Sequence, residues 1–230
     1  ILFGDSMDAN ASFIVDDHSE TAVSILCDST GASDSVVDII VDNAGAELVC
    51  DLFLAHSLLS TECCSKVRFH TKGMPTFVSD ATTEDSIETI AFLTNTNASG
   101  STSKIARELN EYVNLEKIEF ISDLFWCHPT PFWDMPNHIQ ERLAGSKLVF
   151  VKGDANYRRL LGERQWPLDT LAADVLSYWP VPVCALRTFK AEIGCGVSVE
   201  AQSRAERDDA NWKVSGKWGV VQVGGDISGI

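Results

Sequence analysis

The sequence predicts an α/β fold, a Rossmann-like three-layer sandwich with helices on both faces of a mostly parallel central sheet. Short runs rich in β-branched residues alternate along the chain with stretches of helical periodicity, and this alternation is typical of parallel sheets. The chain has 230 residues, of which 45% are hydrophobic, enough for one full core rather than two small ones. We therefore predict a single α/β domain over residues 1–230.

The N-terminal half is predicted to contain four strands and four helices. The run 36–41 has the apolar, β-branched composition of a strand buried on both faces. After it, Leu48, Leu52, Ala55 and Leu59 recur at helical spacing and predict one long helix. The other strands are predicted at 13–16, 66–70 and 76–79, and the other helices at about 22–26, 84–93 and 103–112, with a polar loop at 95–102.

The C-terminal half continues the strand pattern. Strands are predicted at 119–122, 147–151, 182–186 and 218–223. The segment 125–133 is rich in proline and aromatic residues, which excludes a regular helix there. Because ligands of such sheets sit at the carboxyl ends of the strands, the site is expected at that edge.

Composition excludes several classes of function. The formal net charge of −15 argues against nucleic acid or an anionic membrane as the main partner. Apolar runs such as 181–186 are far too short to cross a bilayer, and no signal peptide is visible. Seven scattered cysteines without a CxxC pair are typical of thiols in a reducing compartment, so we predict a cytoplasmic protein. The sequence opens at Ile1 rather than Met, and we expect its beginning to be missing.

Polar residues follow several predicted strands at the point where each strand ends. Oxygen ligands gathered beside cations are the composition of a metal-assisted phosphoryl-transfer site. Such a site would also give this acidic protein the local positive charge that a phosphate needs. The segments concerned are Asp42-Asn43, Ser79-Asp80, Ser122-Asp123, residues 152–159 and residues 187–190.

Asp42 and Asn43 are adjacent, so in a continuing strand their side chains would point to opposite faces. Both can reach one ion only if the backbone turns there, which Ala44-Gly45 allows. Carboxylate and carboxamide oxygens favour Mg²⁺ or Mn²⁺ over zinc. Taken singly, however, Asp42, Asp80 and Asp154 could each cap a helix, and the nearby lysines could be ordinary solvated residues. Composition and spacing alone leave both interpretations open.

Four blocks, in order and over nearly the whole chain, resemble the damage-control phosphatases, in the branch that carries an Arg-Thr-x-Lys motif. That branch includes eukaryotic sugar-phosphate phosphatases and proteins called acidic-residue methyltransferases. The blocks are Val41-Asp-Asn-Ala-Gly-Ala-Glu-Leu-Val-Cys-Asp-Leu52, Phe77-Val-Ser-Asp80, Phe150-Val-Lys-Gly-Asp-Ala-Asn-Tyr-Arg158 and Leu186-Arg-Thr-Phe-Lys-Ala-Glu192.

The resemblance implies that Asp42, Asn43 and Asp80 bind a divalent metal, typically Mn²⁺, with Mg²⁺, Co²⁺ or Ni²⁺ as substitutes. Asp123 matches no ligand of the family. The family's N-terminal helical domain has no counterpart in this sequence and is a possible partner. The resemblance also implies a substrate pocket lined by Glu47, Asp154, Ala155, Asn156, Tyr157, Arg158 and Lys190.

The leading hypothesis is hydrolysis of a small phosphomonoester, such as fructose 1-phosphate or fructose 6-phosphate, in metabolite damage control. The metal, Lys190, Arg158 and the main-chain N–H groups of 153–157 would neutralise the phosphate. Water or Asp42 itself would be the nucleophile.

Two alternatives remain. One is S-adenosylmethionine-dependent methylation of protein glutamate side chains, which the absence of a Gly-rich loop after the first strand argues against. The other is a non-catalytic subunit that retains the fold, which the intact motif blocks argue against.

Overall fold

The computed structural model describes residues 13–28, 35–95 and 100–227. Within these ranges the strands form one sheet of seven, in the spatial order first, seventh, sixth, fifth, second, third, fourth. The strands are β1 (Ile14–Asp17), β2 (Val36–Ile40), β3 (Lys66–Lys72), β4 (Ile118–Asp123), β5 (Ser146–Lys152), β6 (Val183–Thr188) and β7 (Gly219–Gly224).

The sheet is mostly parallel. The strands from β6 through β5, β2 and β3 to β4 all run in one direction. At the other edge, β7 pairs antiparallel with β6, and β1 pairs parallel with β7. The edge strand β1 and its neighbour β7 therefore run opposite to the rest.

Helices cover both faces of this sheet. Val37, Ile39 and Val41 pack in one hydrophobic cluster with the first four helices, whereas Ile40 belongs to a second cluster with the last four. This arrangement confirms the predicted three-layer α/β fold. The helices are α1 (Ser19–Cys27), α2 (Ala46–Ser60), α3 (Thr83–Asn95), α4 (Ser101–Asn114), α5 (Asn137–Leu143), α6 (Asp154–Leu160), α7 (Ala172–Val175) and α8 (Val199–Asp208).

The predicted strand at 76–79 is wrong. This segment is a turn in which the Asp80 side chain accepts hydrogen bonds from the N–H groups of Thr76 and Phe77, at 3.0 and 2.9 Å. Such local bonds to a side chain compete with sheet pairing. Phe77 and Val78 are exposed, so the strand-like composition belongs to a surface loop.

The other predicted strands and the four predicted helices are confirmed. Helices α5 to α8 were not predicted, because they are short and carry few apolar residues at helical spacing. Segment 125–133 has no regular α-helix, as predicted, and contains only 3₁₀ turns. Residues 96–99 of the predicted polar loop lie outside the described residues. Among the helices of the described ranges, none combines the length and apolarity needed to span a bilayer.

The chain changes its direction of travel across the sheet at β2. From β2 it moves outward through β3 and β4, then returns to β5 on the other side of β2 and continues to β6. In open α/β sheets, ligands bind in the crevice outside the carboxyl ends of the strands at such a switch point. The topology therefore directs attention to the ends of β2 and β5.

Candidate active site

The structure brings Asp42, Asn43 and Asp80 together at the carboxyl end of β2. Gly45 has φ +76°, a conformation that suits glycine, and it turns the chain directly into α2. Two backbone bonds tie the Asp80 segment to this turn, from Ala44 N to Ser79 O (2.7 Å) and from Ala81 N to Asp42 O (2.9 Å). The backbone thus turns after Asp42, which is the condition for two adjacent residues to serve one ion.

Hydrogen bonds orient these polar side chains. The Asn43 Oδ1 atom accepts a bond from the Ser79 hydroxyl at 2.7 Å. The Asn43 amide nitrogen donates to Asp42 Oδ2 and to Glu47 Oε2, both at 3.1 Å. Both backbone bonds to the Asp80 carboxylate end on Oδ2, so within the described residues no hydrogen bond is recorded to Oδ1.

The charge balance at this point fits a cation. Asp42 is only 5% exposed. Burial raises its pKa to about 6, the Lys72 ammonium opposes that rise, and the charges of Glu47 and Asp80 add to it. Lys72 Nζ stands 3.6 Å from Asp42 Oδ1, too far for a strong charge-assisted bond. These three carboxylates outnumber the nearby ammonium groups, and a divalent ion would neutralise the remaining negative charge.

The donor set is also suited to a hard ion. Within the described residues, no group of three or more His, Cys, Asp or Glu side chains is placed to hold a metal. Asp42, Asn43 and Asp80 instead offer two carboxylates and one carboxamide oxygen. Oxygen donors of this kind match Mg²⁺ or Mn²⁺ rather than zinc.

The end of β5 forms the opposite wall of the crevice. Gly153 has φ +84°, and a Cβ atom there would lie 2.0 Å from Asp42 Oδ2, so glycine is required for this close approach. The buried Lys152 pairs with Asp51 (2.8 Å) and Glu47 (3.7 Å). Burial alone would lower the pKa of Lys152, but these carboxylates raise it above its ordinary value.

A cavity of about 360 Å³, the first cavity, opens between these two strand ends. Five of the predicted site residues line it: Asp42, Asn43, Glu47, Asp154 and Lys190. Lys152, Thr188 and Cys50 complete much of its wall. The first cavity therefore holds acidic groups of the predicted metal site and two lysines.

Arg187 organises the Arg-Thr-x-Lys block behind this cavity. Its buried guanidinium donates from Nε to Asp154 Oδ1 at 2.8 Å, with Nη2 at the same distance in the ion pair, and lies over the rings of Tyr157 and Phe189. The Lys190 N–H also points to Asp154 Oδ1, at 3.3 Å. Arg187 thereby fixes the position of Asp154 and of the chain that carries Lys190.

A second cavity of about 300 Å³ adjoins the same acidic cluster. It is lined by the predicted residues Asp80, Ala155 and Arg158, together with Lys72 and Phe77. Arg158 is paired with Glu163 at 2.7 Å. The two cations predicted to share the phosphate, Lys190 and Arg158, thus face different cavities.

The side chains of Asn156 and Tyr157 line neither cavity, and both are fully buried. Asn156 donates to Val41 O (3.0 Å) and Lys152 O (2.9 Å) and so joins β2 to β5. The Tyr157 hydroxyl donates to Gln222 Oε1 at 2.6 Å. Of the predicted main-chain donors, Gly153 N and Tyr157 N already bond to carbonyl groups, which leaves the N–H groups of 154–156.

Asp123 sits apart from this arrangement, at the end of the edge strand β4. It accepts a bond from Phe125 N (2.8 Å) and pairs with His138 (2.8 Å). Burial raises its pKa, but these two partners outweigh burial and hold the pKa below its ordinary value. Asp123 is therefore a satisfied helix cap.

A family model described as the damage-control phosphatase ARMT1-like domain matches residues 4–205. The chain belongs to the ARMT1-like damage-control phosphatase family. This confirms the resemblance inferred from the four motif blocks.

Several curated relatives of this ARMT1-like chain carry the name damage-control phosphatase ARMT1. The Xenopus laevis protein is 35% identical over 95% of this chain and 51% of its own length, and the human protein is 34% identical over 85% and 45%. The chain spans about half the length of the curated relatives it matches. A crystal structure of a DUF89 family protein from Pyrococcus horikoshii superposes with a TM-score of 0.47 at 15% identity, over 90% of this chain and 52% of that one.

Sequence reasoning missed two charged residues of the ARMT1-like site and left a third open. Lys72 ends β3 beside Asp42, and its position at a strand end was the available signal. Asp51 lies one turn beyond Glu47 on α2, and it holds Lys152. The third residue is Lys152. Its sequence context also allowed a solvated side chain, but the structure shows it buried and in an ion pair with Asp51.

Proposed function

We propose that this chain is the catalytic α/β portion of a metal-dependent phosphatase that hydrolyses small phosphomonoesters. The observation that carries the proposal is the cluster of the buried Asp42 and Asp80 with the half-buried Asn43 at the switch point, flanked by lysines. Membership of the damage-control phosphatase family supports it.

Asp42, Asn43 and Asp80 would hold the divalent ion, with Mn²⁺ as the first choice and Mg²⁺, Co²⁺ or Ni²⁺ as substitutes. When bound, such an ion polarises the phosphoryl group and neutralises its charge. The chain holds the three donors in place through the Ser79 hydroxyl, the Glu47 carboxylate and the backbone of residues 76–81. These supports fix the donors before any ion arrives.

The first cavity would receive the substrate. Lys190 and Lys152 face it and would bind the oxygens of the phosphate, and the free N–H groups of 154–156 would add donors. Arg187 holds Asp154 and the Lys190 backbone, so it positions this wall without facing the cavity itself. The volume and mixed polarity fit a hexose or pentose phosphate of the fructose 1-phosphate or fructose 6-phosphate type.

The reaction consumes water and a phosphomonoester and yields an alcohol and inorganic phosphate. The P–O bond to the alcohol breaks, and a new P–O bond forms to the nucleophile, either water or a carboxylate oxygen of Asp42 that water later displaces. The alcohol leaves with a proton. We place this reaction in the cytoplasm, and the seven free cysteines support that location.

The test is phosphate release from fructose 1-phosphate and from p-nitrophenyl phosphate by the purified chain, with Mn²⁺ or Ni²⁺ and again with a chelator. We expect release that requires the metal, and its loss in Asp80→Asn. Asp123→Asn is the matched control, because Asp123 also lies at the carboxyl edge of the sheet but already has its partners. Metal-independent release, or full activity of Asp80→Asn, would refute the metal assignment, and no release with any metal would favour a non-catalytic subunit.

A further inference from the structure

Lys72 is a buried ammonium with incomplete coordination. Its side chain is 5% exposed. Its recorded contacts are Trp126 O at 3.3 Å, Asn156 Oδ1 at 3.5 Å and Asp42 Oδ1 at 3.6 Å. Charge-assisted bonds from an ammonium are normally about 2.7–2.9 Å long. All three contacts are therefore loose for a charge that has been withdrawn from water.

Two other lysines of the same fold have at least one acceptor at close range. Lys147 donates to three carbonyl oxygens at 2.7, 2.9 and 3.1 Å. Lys152 pairs with Asp51 at 2.8 Å. Since the fold can hold a buried ammonium tightly, the loose contacts of Lys72 indicate room for a further acceptor.

The position of Lys72 shows where that acceptor would lie. Lys72 lines the second cavity together with Asp80, whereas Asp42 lines the first. The Asp42–Lys72 pair thus stands between the two cavities. The Lys72 N–H donates to Ala81 O at 2.9 Å, so the backbone that carries the ammonium is fixed to the segment that carries Asp80.

We propose that Lys72 is a further phosphate-binding residue, which contacts the phosphoryl group from the side of the second cavity while Lys152 and Lys190 face it from the first. The inference rests on the proposed function, because it assumes that a phosphate enters this site. An oxyanion would supply the acceptor that the ammonium lacks, and the contact is purely electrostatic. The substrate would then extend into both cavities rather than remain in the first.

The competing explanation is that Lys72 only neutralises Asp42. Removing Lys72 alone does not separate the two roles, because it would leave the Asp42 carboxylate buried without its cation and could unfold the protein. Starting from Asp42→Asn avoids the buried carboxylate, and the ammonium that is left lines the second cavity together with Asp80. In Asp42→Asn the ammonium has lost the carboxylate with which it pairs, whereas Asp80 is the same in every variant, so a change in phosphate affinity on removing Lys72 reports its contact with the phosphate.

The experiment is calorimetric titration of the metal-free full chain with inorganic phosphate. The variants are Asp42→Asn, Asp42→Asn/Lys72→Met and, as the matched control, Asp42→Asn/Lys66→Met. Lys66 lies on the same strand β3 and pairs at the surface with Glu119 at 3.7 Å. Thermal melting of each variant verifies that it is folded, and the double variant at Asp42 and Lys72 leaves no unpaired charge of this pair.

We expect Asp42→Asn to bind phosphate, and Asp42→Asn/Lys72→Met to bind it at least about 10-fold more weakly. Lys66→Met in the same background should change the affinity less than about 2-fold, because surface charges act weakly at a distance. Equal affinity in Asp42→Asn and Asp42→Asn/Lys72→Met, or no binding by Asp42→Asn, would overturn the proposal. A wild-type chain without metal-dependent phosphatase activity would refute the proposed function, yet this equilibrium comparison would still report on Lys72.

Discussion

Two buried aspartates only four residues apart, Asp38 within β2 and Asp42 two residues beyond its end, have opposite surroundings. Asp38 accepts two bonds from the Arg68 guanidinium, at 2.8 and 2.7 Å, one from His70 at 2.6 Å and one from the Ser146 hydroxyl. The Asp42 carboxylate accepts one bond from the Asn43 amide at 3.1 Å, and the Lys72 ammonium lies 3.6 Å away. The first carboxylate is fully satisfied, whereas the second is not.

The pKa values of the two groups move in opposite directions for this reason. Burial raises the pKa of Asp38, but the bonds and charges of His70 and Arg68 outweigh burial and lower it below its ordinary value. Burial raises the pKa of Asp42 to about 6, and Lys72 only partly opposes it. Since native proteins rarely leave a buried charge without partners, the unsatisfied aspartate is the one that points to a ligand.

The largest expected effect comes from removing the charge of the unsatisfied aspartate. Asp42→Asn should lower the metal-dependent release of phosphate by about 10³-fold or more, because it weakens both the ion site and the charge balance around it. The metal-free variant should lose little stability, because burial already disfavours the Asp42 charge and raises its pKa to about 6. Phosphate release and chemical denaturation with a chelator measure the two quantities. Retained activity would mean that Asp42 is only a structural residue.

Removing the satisfied aspartate should give the reverse result. Asp38→Ala leaves Arg68 and His70 without their buried carboxylate, and we expect the free energy of unfolding to fall by about 3–5 kcal/mol. The activity per folded molecule should stay within a few-fold of the wild type. Urea denaturation and an assay corrected for the folded fraction measure these effects. An Asp38→Ala protein that is stable but inactive would contradict the division between the two aspartates.

The sequence predicted the sheet well because its strands are compact β-branched runs. The motif blocks singled out Asp42, Asn43 and Asp80, which the structure brings close together. The sequence did not predict the Asp38 centre. The partners Arg68 and Ser146 are distant in sequence, and they meet only through the register of β2 with β3 and β5. A polar residue inside an apolar strand was the only local signal.

Burial was the other property that local pattern did not reveal. Tyr157 and Asn156 lie in a motif block and were expected in the pocket, yet the short helix α6 turns both side chains into the interior. The sequence was equally compatible with a solvated Lys152. In the structure, Lys152 forms an ion pair with Asp51, which lies on a different element, α2. Both outcomes depend on how α2 and α6 pack against the sheet, which periodicity does not determine.

A smaller effect concerns the pH dependence of stability in the metal-free protein. Burial raises the pKa of Asp51 to about 6, against the opposing charge of Lys152. The folded state therefore binds this proton more tightly than the unfolded state, whose carboxyl titrates near 3.8. The stability contributed is fully present below that value and is lost as the pH rises through about 6, by up to about 3 kcal/mol.

Denaturant unfolding at a series of pH values from 4 to 7, with a chelator present, measures this slope. Asp51→Asn should flatten it, and part of the slope should persist because Asp42 titrates in the same direction. Asp38 does not contribute to the slope between pH 4 and 7, because its pKa is lowered and it titrates below this pH range. An unchanged slope in Asp51→Asn would show that its carboxyl has an ordinary pKa in the folded state.

The smallest expected effect is at Asp123. Like Asp42 it lies at a strand end, but like Asp38 its carboxylate already has hydrogen-bond and ion-pair partners. Asp123→Ala removes the cap on Phe125 N and the partly exposed pair with His138, so we expect a loss of about 1 kcal/mol in unfolding free energy. His138→Ala separates the contribution of the pair from that of the cap. Phosphate release should match the wild type, because Asp123 lines neither cavity. A loss of activity as large as that of Asp42→Asn would mean that the site extends to the edge strand and that a satisfied carboxylate does not mark a structural residue.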